Sequence, residues 1–134
     1  MKASKFKLTL TRAYQKSEYS KAKKLSTLKA STIKKRLGEY YYGVKYKLSF
    51  PKFRSNKSYF VQIVQTAPGG WSAVGSNTWE FRKNYVYLYS DYLLNNYNFF
   101  EGVNKEYGYI PTGTYIITIY FNGMKVASST FKVQ

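Results

Sequence analysis

Neither cysteine nor histidine occurs among the 134 residues, and acids are scarce: six Asp plus Glu stand against 22 Lys plus Arg, for a formal net charge of +16. The missing cysteines exclude disulfides and thiolate nucleophiles. With histidine absent too, there is no Cys or His zinc site and no imidazole general base. No cofactor and no metal are expected. Proline is limited to three residues, so few strands are interrupted by a residue that cannot donate to a ladder. No apolar run approaches the ~18 residues that a membrane helix needs, and MKASKFKLTL at the start has no apolar h-region, so no transmembrane segment is expected.

What is present favours strands. The chain holds 16 Tyr and 9 Phe, with Ile and Val set in alternating runs, and its length suits one domain with a substantial core. The organising stretch is 109–133, YIPTGTYIITIYFNGMKVASSTFKV. Asn122-Gly123 within it accepts the positive φ angles of a type I′ turn, which predicts a hairpin with Phe121 facing Met124 and Ile119 facing Val126. One face of that ribbon is apolar and the other carries Thr118, Tyr120 and Lys125, so it needs a second sheet to cover it.

Earlier in the chain, Phe6, Leu8 and Leu10 alternate with Lys5, Lys7 and Thr9 as a short strand or pairing arm. Residues 11–24 read as a basic linker, and 26–37 as a first sandwich strand, with a helix over about 17–35 as the competing reading. Tyr42, Val44, Tyr46, Leu48 and Phe50 form the clearest strand of this half, ended by Pro51. In the next strand Tyr59, Val61 and Ile63 oppose Phe60, Gln62 and Val64. Pro68-Gly69-Gly70 marks a turn, and Gly75-Ser76-Asn77 suggests a short edge hairpin between Trp71–Val74 and Trp79–Phe81. Tyr85–Tyr89 alternates again. Residues 90–109 lack period two; Asp91 is placed to cap a short helix holding Leu93, Leu94 and Tyr97, with Phe99 and Phe100 plugging an end of the core.

These segments predict an all-β chain: an immunoglobulin-like (Ig-like) antiparallel β-sandwich of about seven to eight strands over residues 25–134, with a basic N-terminal arm and first strand at 1–24. Gly113-Thr114-Tyr115 resembles the Gly-x-Tyr opening the penultimate strand of Ig-like and fibronectin-like domains, where the tyrosine hydroxyl ties down a neighbouring corner; Pro111 stands where an acid is usual. Without a Cys…Trp…Cys framework, an antibody-type domain is excluded. The run from about Ile33 to Val133 resembles the small secreted Ig-like domains of Bacillus and related Gram-positive bacteria. The shared features are Lys-Lys-Arg-Leu-Gly-Glu-Tyr before a Tyr-rich strand, the later Ser-Tyr-Phe-Val-Gln-Ile, and the ending Asn-Gly-x-Lys-Val-Ala-Ser-Ser-Thr-Phe-x-Val. The resemblance implies the fold and export, to a secreted or cell-wall-associated location with Met1 replacing a removed signal peptide, and it implies no activity.

Three candidate chemistries compete. Glu101 and Glu106 share one predicted loop, but nothing else supports a carboxylate pair, and Gly69-Gly70 lacks the context of a phosphate loop, so no enzyme is expected. Cations are the stronger signal, since 12 of the 22 lie in residues 1–37 with Glu18 as the only acid there. Lys21, Lys23, Lys24, Lys34, Lys35 and Arg36, extended by Lys45, Lys47, Lys52, Arg54 and Lys57, form a candidate anion-binding stripe. Its partner would be an anionic polymer or surface: teichoic acid, a glycan, a lipid headgroup or nucleic acid. The competing reading is charge that merely solubilises. Third, Trp71, Tyr92, Tyr97, Tyr107 and Tyr109 form a candidate stacking platform for sugars, bases or a protein partner, whereas Trp79 reads as core. The leading expectation is a non-enzymatic binder of an anionic cell-envelope polymer. The alternatives are a carbohydrate- or protein-interaction module using the loop aromatics, and a nonspecific nucleic-acid binder.

Overall fold

Asn122 and Gly123 adopt φ angles of 50° and 85°, the left-handed pair that a type I′ turn requires. In the computed structural model, which describes residues 5–13, 27–37, 43–50, 57–80, 83–89 and 99–134, this turn joins β7 (Gly113–Phe121) to β8 (Met124–Val133). In chain order these are preceded by β1 (Lys7–Ala13), β2 (Thr27–Leu28), α1 (Ala30–Lys35), β3 (Gly43–Ser49), β4 (Ser58–Thr66), β5 (Ser72–Glu80), β6 (Tyr85–Tyr89) and α2 (Phe99–Tyr107). The fold is mostly β, in two sheets: three strands in the order β1-β3-β6 and five in the order β2-β8-β7-β4-β5. All neighbours pair antiparallel except β2, which runs parallel to β8.

Period-two alternation explains how the sheets meet. Val44, Tyr46, Leu48 and Phe50 point inward from the smaller sheet; Tyr59, Val61 and Ile63, with Tyr115, Ile117, Ile119 and Phe121, point inward from the larger one, and all are buried in one core. Each such side chain contributes about 1.5–3 kcal/mol on leaving water. Rings close both ends. Phe121 lies 5.1 Å from Phe6, 5.3 Å from Phe50 and 4.6 Å from Tyr59 between ring centroids, joining the two sheets at one end. About 20 Å along β7, Phe99 and Phe100 of α2 meet Tyr115 edge-on at 6.0 Å, as the expected plug.

Five local expectations are corrected. The predicted strand over 26–37 is instead the two-residue β2 followed by α1, because only Leu28 and Ile33 bury there and the backbone is clipped to the chain end: Gln134 N–H donates to Leu28 O and Ala30 N–H to Gln134 O, each at 2.8 Å. Gly75-Ser76-Asn77 is no turn. It lies inside β5, where Gly75 is buried opposite Ile63, and the hairpin turn is at Pro68-Gly69, with Ala67 N–H donating to Trp71 O. Ile119 faces Ala127, since a β-bulge shifts the register after Tyr120↔Lys125 and tucks Val126 into the core. Finally, Glu101 and Glu106 are on α2. The linker reading of 11–24 is cut short too: 11–13 belong to β1, which pairs with β3 while Phe6 and Leu10 enter the core. The remainder, like the Asp91 cap with Leu93, Leu94 and Tyr97, lies outside the described residues.

Candidate anion-binding face

The alternation that buries Val44, Tyr46 and Leu48 turns the intervening positions of β3 outward. Lys47 pairs in register with Thr9 on one side and Tyr87 on the other; Lys45 pairs with Thr11 and Tyr89, and Ser49 with Lys7 and Tyr85. Register therefore sets the lysine positions of β3 beside the tyrosine positions of β6, away from the core residues between them. The Lys47 ammonium sits 4.7 Å from the Tyr85 ring centroid, and the Lys83 ammonium 5.6 Å from the same ring. Lys83 Nζ also donates to the Tyr85 hydroxyl at 3.5 Å. Two ammoniums converging on one phenol give an anion two charge partners beside an aromatic face. Lys7, exposed on the neighbouring strand, extends the row.

The other candidate cations divide. Lys34 Nζ donates to Asn104 Oδ1 at 2.6 Å, tying α1 to α2, while the backbone N–H of Arg36 closes α1 on Thr32 and Ile33. Lys34 is thus fixed beside α2, and Lys35 and Arg36 follow it at the end of α1 rather than on the three-stranded sheet. Lys57 lies at the start of β4 with its ammonium 5.5 Å from the Tyr59 ring. Lys21, Lys23, Lys24, Lys52 and Arg54 lie outside the described residues.

Of the aromatic platform, Trp71, Tyr107 and Tyr109 are brought together. Trp71 stacks on Phe99 at 6.1 Å and lies over Gly102, where a Cβ would come within 3.2 Å of its indole. Its backbone N–H donates to the Tyr107 hydroxyl at 3.1 Å. Both rings therefore pin the β4–β5 turn to α2. Tyr109, 59% exposed and 6.1 Å from Tyr107, keeps a ring in solvent. Tyr92 and Tyr97 lie outside the described residues, and Trp79 lies on β5 opposite Tyr59.

Tyr115 donates its hydroxyl to Pro111 O at 2.8 Å, which is the corner expected from Gly113-Thr114-Tyr115. Burial raises its pKa above the ordinary phenol value, with the neighbouring Tyr107 and Tyr109 adding to the shift. Glu101 and Glu106, five residues apart on α2, point about 140° apart around the helix axis and do not form a pair across a cleft. Among the described residues, no group of three or more acidic side chains is placed to hold a metal ion, and no helix is long and apolar enough to cross a membrane.

The residues of the candidate face that sequence reasoning missed are Tyr85 and Lys83, with Tyr87 and Tyr89 next to Tyr85 on β6. Both alternations, lysines at 45 and 47 and tyrosines at 85, 87 and 89, are visible in the sequence; their juxtaposition is a matter of register. No family model, no curated protein and no solved structure matches the chain.

Proposed function

We propose that this chain is a non-enzymatic, exported binding domain of Ig-like topology that holds an anionic cell-envelope polymer on the outer face of its three-stranded sheet. Two features support the Ig-like reading. Taking β1, β3, β4, β5, β6, β7 and β8 as strands A, B, C, C′, E, F and G gives A-B-E on one sheet and G-F-C-C′ on the other. The Tyr115 hydroxyl bond at the start of β7 is the second.

The observation that carries the functional reading is the separation of charge between the sheets. On the register that faces away from the core, β1 and β3 bring Lys7, Lys45 and Lys47 with no acid, and β6 adds tyrosines. In the larger sheet the nine-residue strands β4, β5 and β7 together contain one charged residue, Glu80, and the cations are confined to β8, at Lys125 and Lys132. A polyanion releases its counterions where ammoniums are dense, so it meets the smaller sheet. Titration of the intact protein against poly(glycerol phosphate), a neutral glycan and single-stranded DNA at low and high salt tests this. Affinity for poly(glycerol phosphate) that falls steeply with salt and drops in Lys47→Ala/Lys83→Ala supports it. Equal binding of the two polyanions reduces the ligand class to charge alone, and salt-indifferent binding of the neutral glycan favours the exposed Tyr109 instead.

A further inference from the structure

The larger sheet presents a surface of opposite character. Its outward rows read Thr78–Phe60, Ser76–Gln62–Tyr120–Lys125, Val74–Val64–Thr118–Ser128 and Ser72–Thr66–Ile116–Thr130 across β5, β4, β7 and β8. Val74 is 60% exposed, Phe60 40% and Ile116 39%. Along β4, β5 and β7 the single charge is Glu80, at one end of β5. In a chain of net charge +16, this face, with apolar points at both ends and its cations confined to Lys125 and Lys132 on β8, is the exception.

We infer that the outer face of β5-β4-β7-β8 docks a second copy of this chain, face to face about a two-fold axis. Charge selects the occupant. Two molecules of charge +16 repel, and the approach with the least repulsion brings together the surfaces poorest in cations, here β5, β4 and β7, with Lys125 and Lys132 kept to the β8 edge. An acidic partner would be drawn to the lysine rows of the other sheet. A two-fold contact also requires a self-complementary patch, and a mixture of Ser, Thr and Gln, which both donate and accept, with Val and Ile meets that requirement. Size agrees as well. Four strands ~4.8 Å apart and nine residues long at ~3.4 Å per residue span on the order of 600 Å² in projection, near the ~800 Å² per partner of a standard interface. The pairing leaves both lysine-tyrosine faces outward, so the dimer grips one polymer twice and gains avidity.

Sedimentation equilibrium of the full chain, from micromolar to millimolar concentration at low and high salt, tests the inference. Dimers that tighten as salt rises, because repulsion is screened, support it. Val74→Lys and Ile116→Lys are expected to raise the dimer Kd by about tenfold or more, with circular dichroism confirming the fold. Val74→Ser, which adds no charge, should weaken dimers less and guards against a misfolded lysine variant. Lys47→Ala should leave dimerisation intact while weakening polymer binding, so failure here is separable from failure of the binding proposal. A protein monomeric throughout, or dimers indifferent to Val74 and Ile116, overturns the inference.

Discussion

Two tyrosine hydroxyls within the core make separable demands. Tyr115 donates to Pro111 O, so Tyr115→Phe removes the bond and leaves a buried carbonyl without that donor, at about 1–3 kcal/mol. The same hydroxyl gives this loss a pH dependence. Burial raises its pKa in the folded state, while in the unfolded chain it ionises near pH 10. Its stabilisation is complete below about pH 10 and declines as pH rises above that value, because only the unfolded state releases the proton. Urea unfolding should show the Phe variant weaker at neutral pH and the gap to wild type narrowing in alkali. Tyr46 makes the second demand: its hydroxyl donates to Gln65 Oε1 at 2.5 Å across the sheets, while the buried Gln65 Nε2 finds no partner among the described residues. Tyr46→Phe should therefore cost about 1–3 kcal/mol, and adding Gln65→Leu should recover most of it, since removing both partners is milder than stranding one. A double-mutant cycle in urea reads the coupling; strictly additive losses would refute it.

At the scale of elements, the hairpin tip of β7 and β8 does more than reverse the chain. Phe60 N–H donates to Asn122 Oδ1 at 2.9 Å and Asn122 N–H donates to Phe60 O at 2.7 Å, which locks the tip to β4. Asn122→Gly keeps the φ of 50° accessible but loses the side-chain clip, for about 1 kcal/mol, and Asn122→Ala adds left-handed strain for about 1 kcal/mol more. Thermal unfolding should rank wild type above Gly above Ala. This hairpin was legible in the sequence because Asn-Gly is a local signal, as were β3, β4 and β6 from alternation and the Tyr115 corner from its motif. Elements held by distant partners were not. α1 buries one side chain, Ile33, and is placed by the backbone of Gln134, a partner no local pattern reveals. β5 contains a turn-like Gly75-Ser76-Asn77, yet pairing with β4 along its whole length overrides that preference. α2 carries a local signal in Phe99, Val103 and Tyr107 at helical spacing, but at nine residues it is too short for that stripe to stand out from a loop. Of the candidate face, Lys45 and Lys47 could be named from the chain alone; Tyr85 and Lys83 entered only when β3 and β6 were laid side by side.

For the whole molecule, 22 cations against six acids set two salt effects of opposite sign. Self-repulsion weakens the folded state, so added salt should raise Tm, while the same ions compete with a polyanion and should lower its affinity. The slope of log affinity against log salt counts the ammoniums that meet the polymer, and removing one that does so should reduce it by about one. Lys47→Ala and Lys83→Ala are each expected to do this, because both ammoniums converge on the outward Tyr85 ring. Lys34→Ala is expected to leave the slope nearly unchanged and to lower Tm slightly, because its ammonium is bound to Asn104 and joins α1 to α2. If charge acted only as a diffuse cloud, all three substitutions would change the slope alike. A split between Lys47 and Lys83 on one side and Lys34 on the other would locate the polymer on the three-stranded sheet.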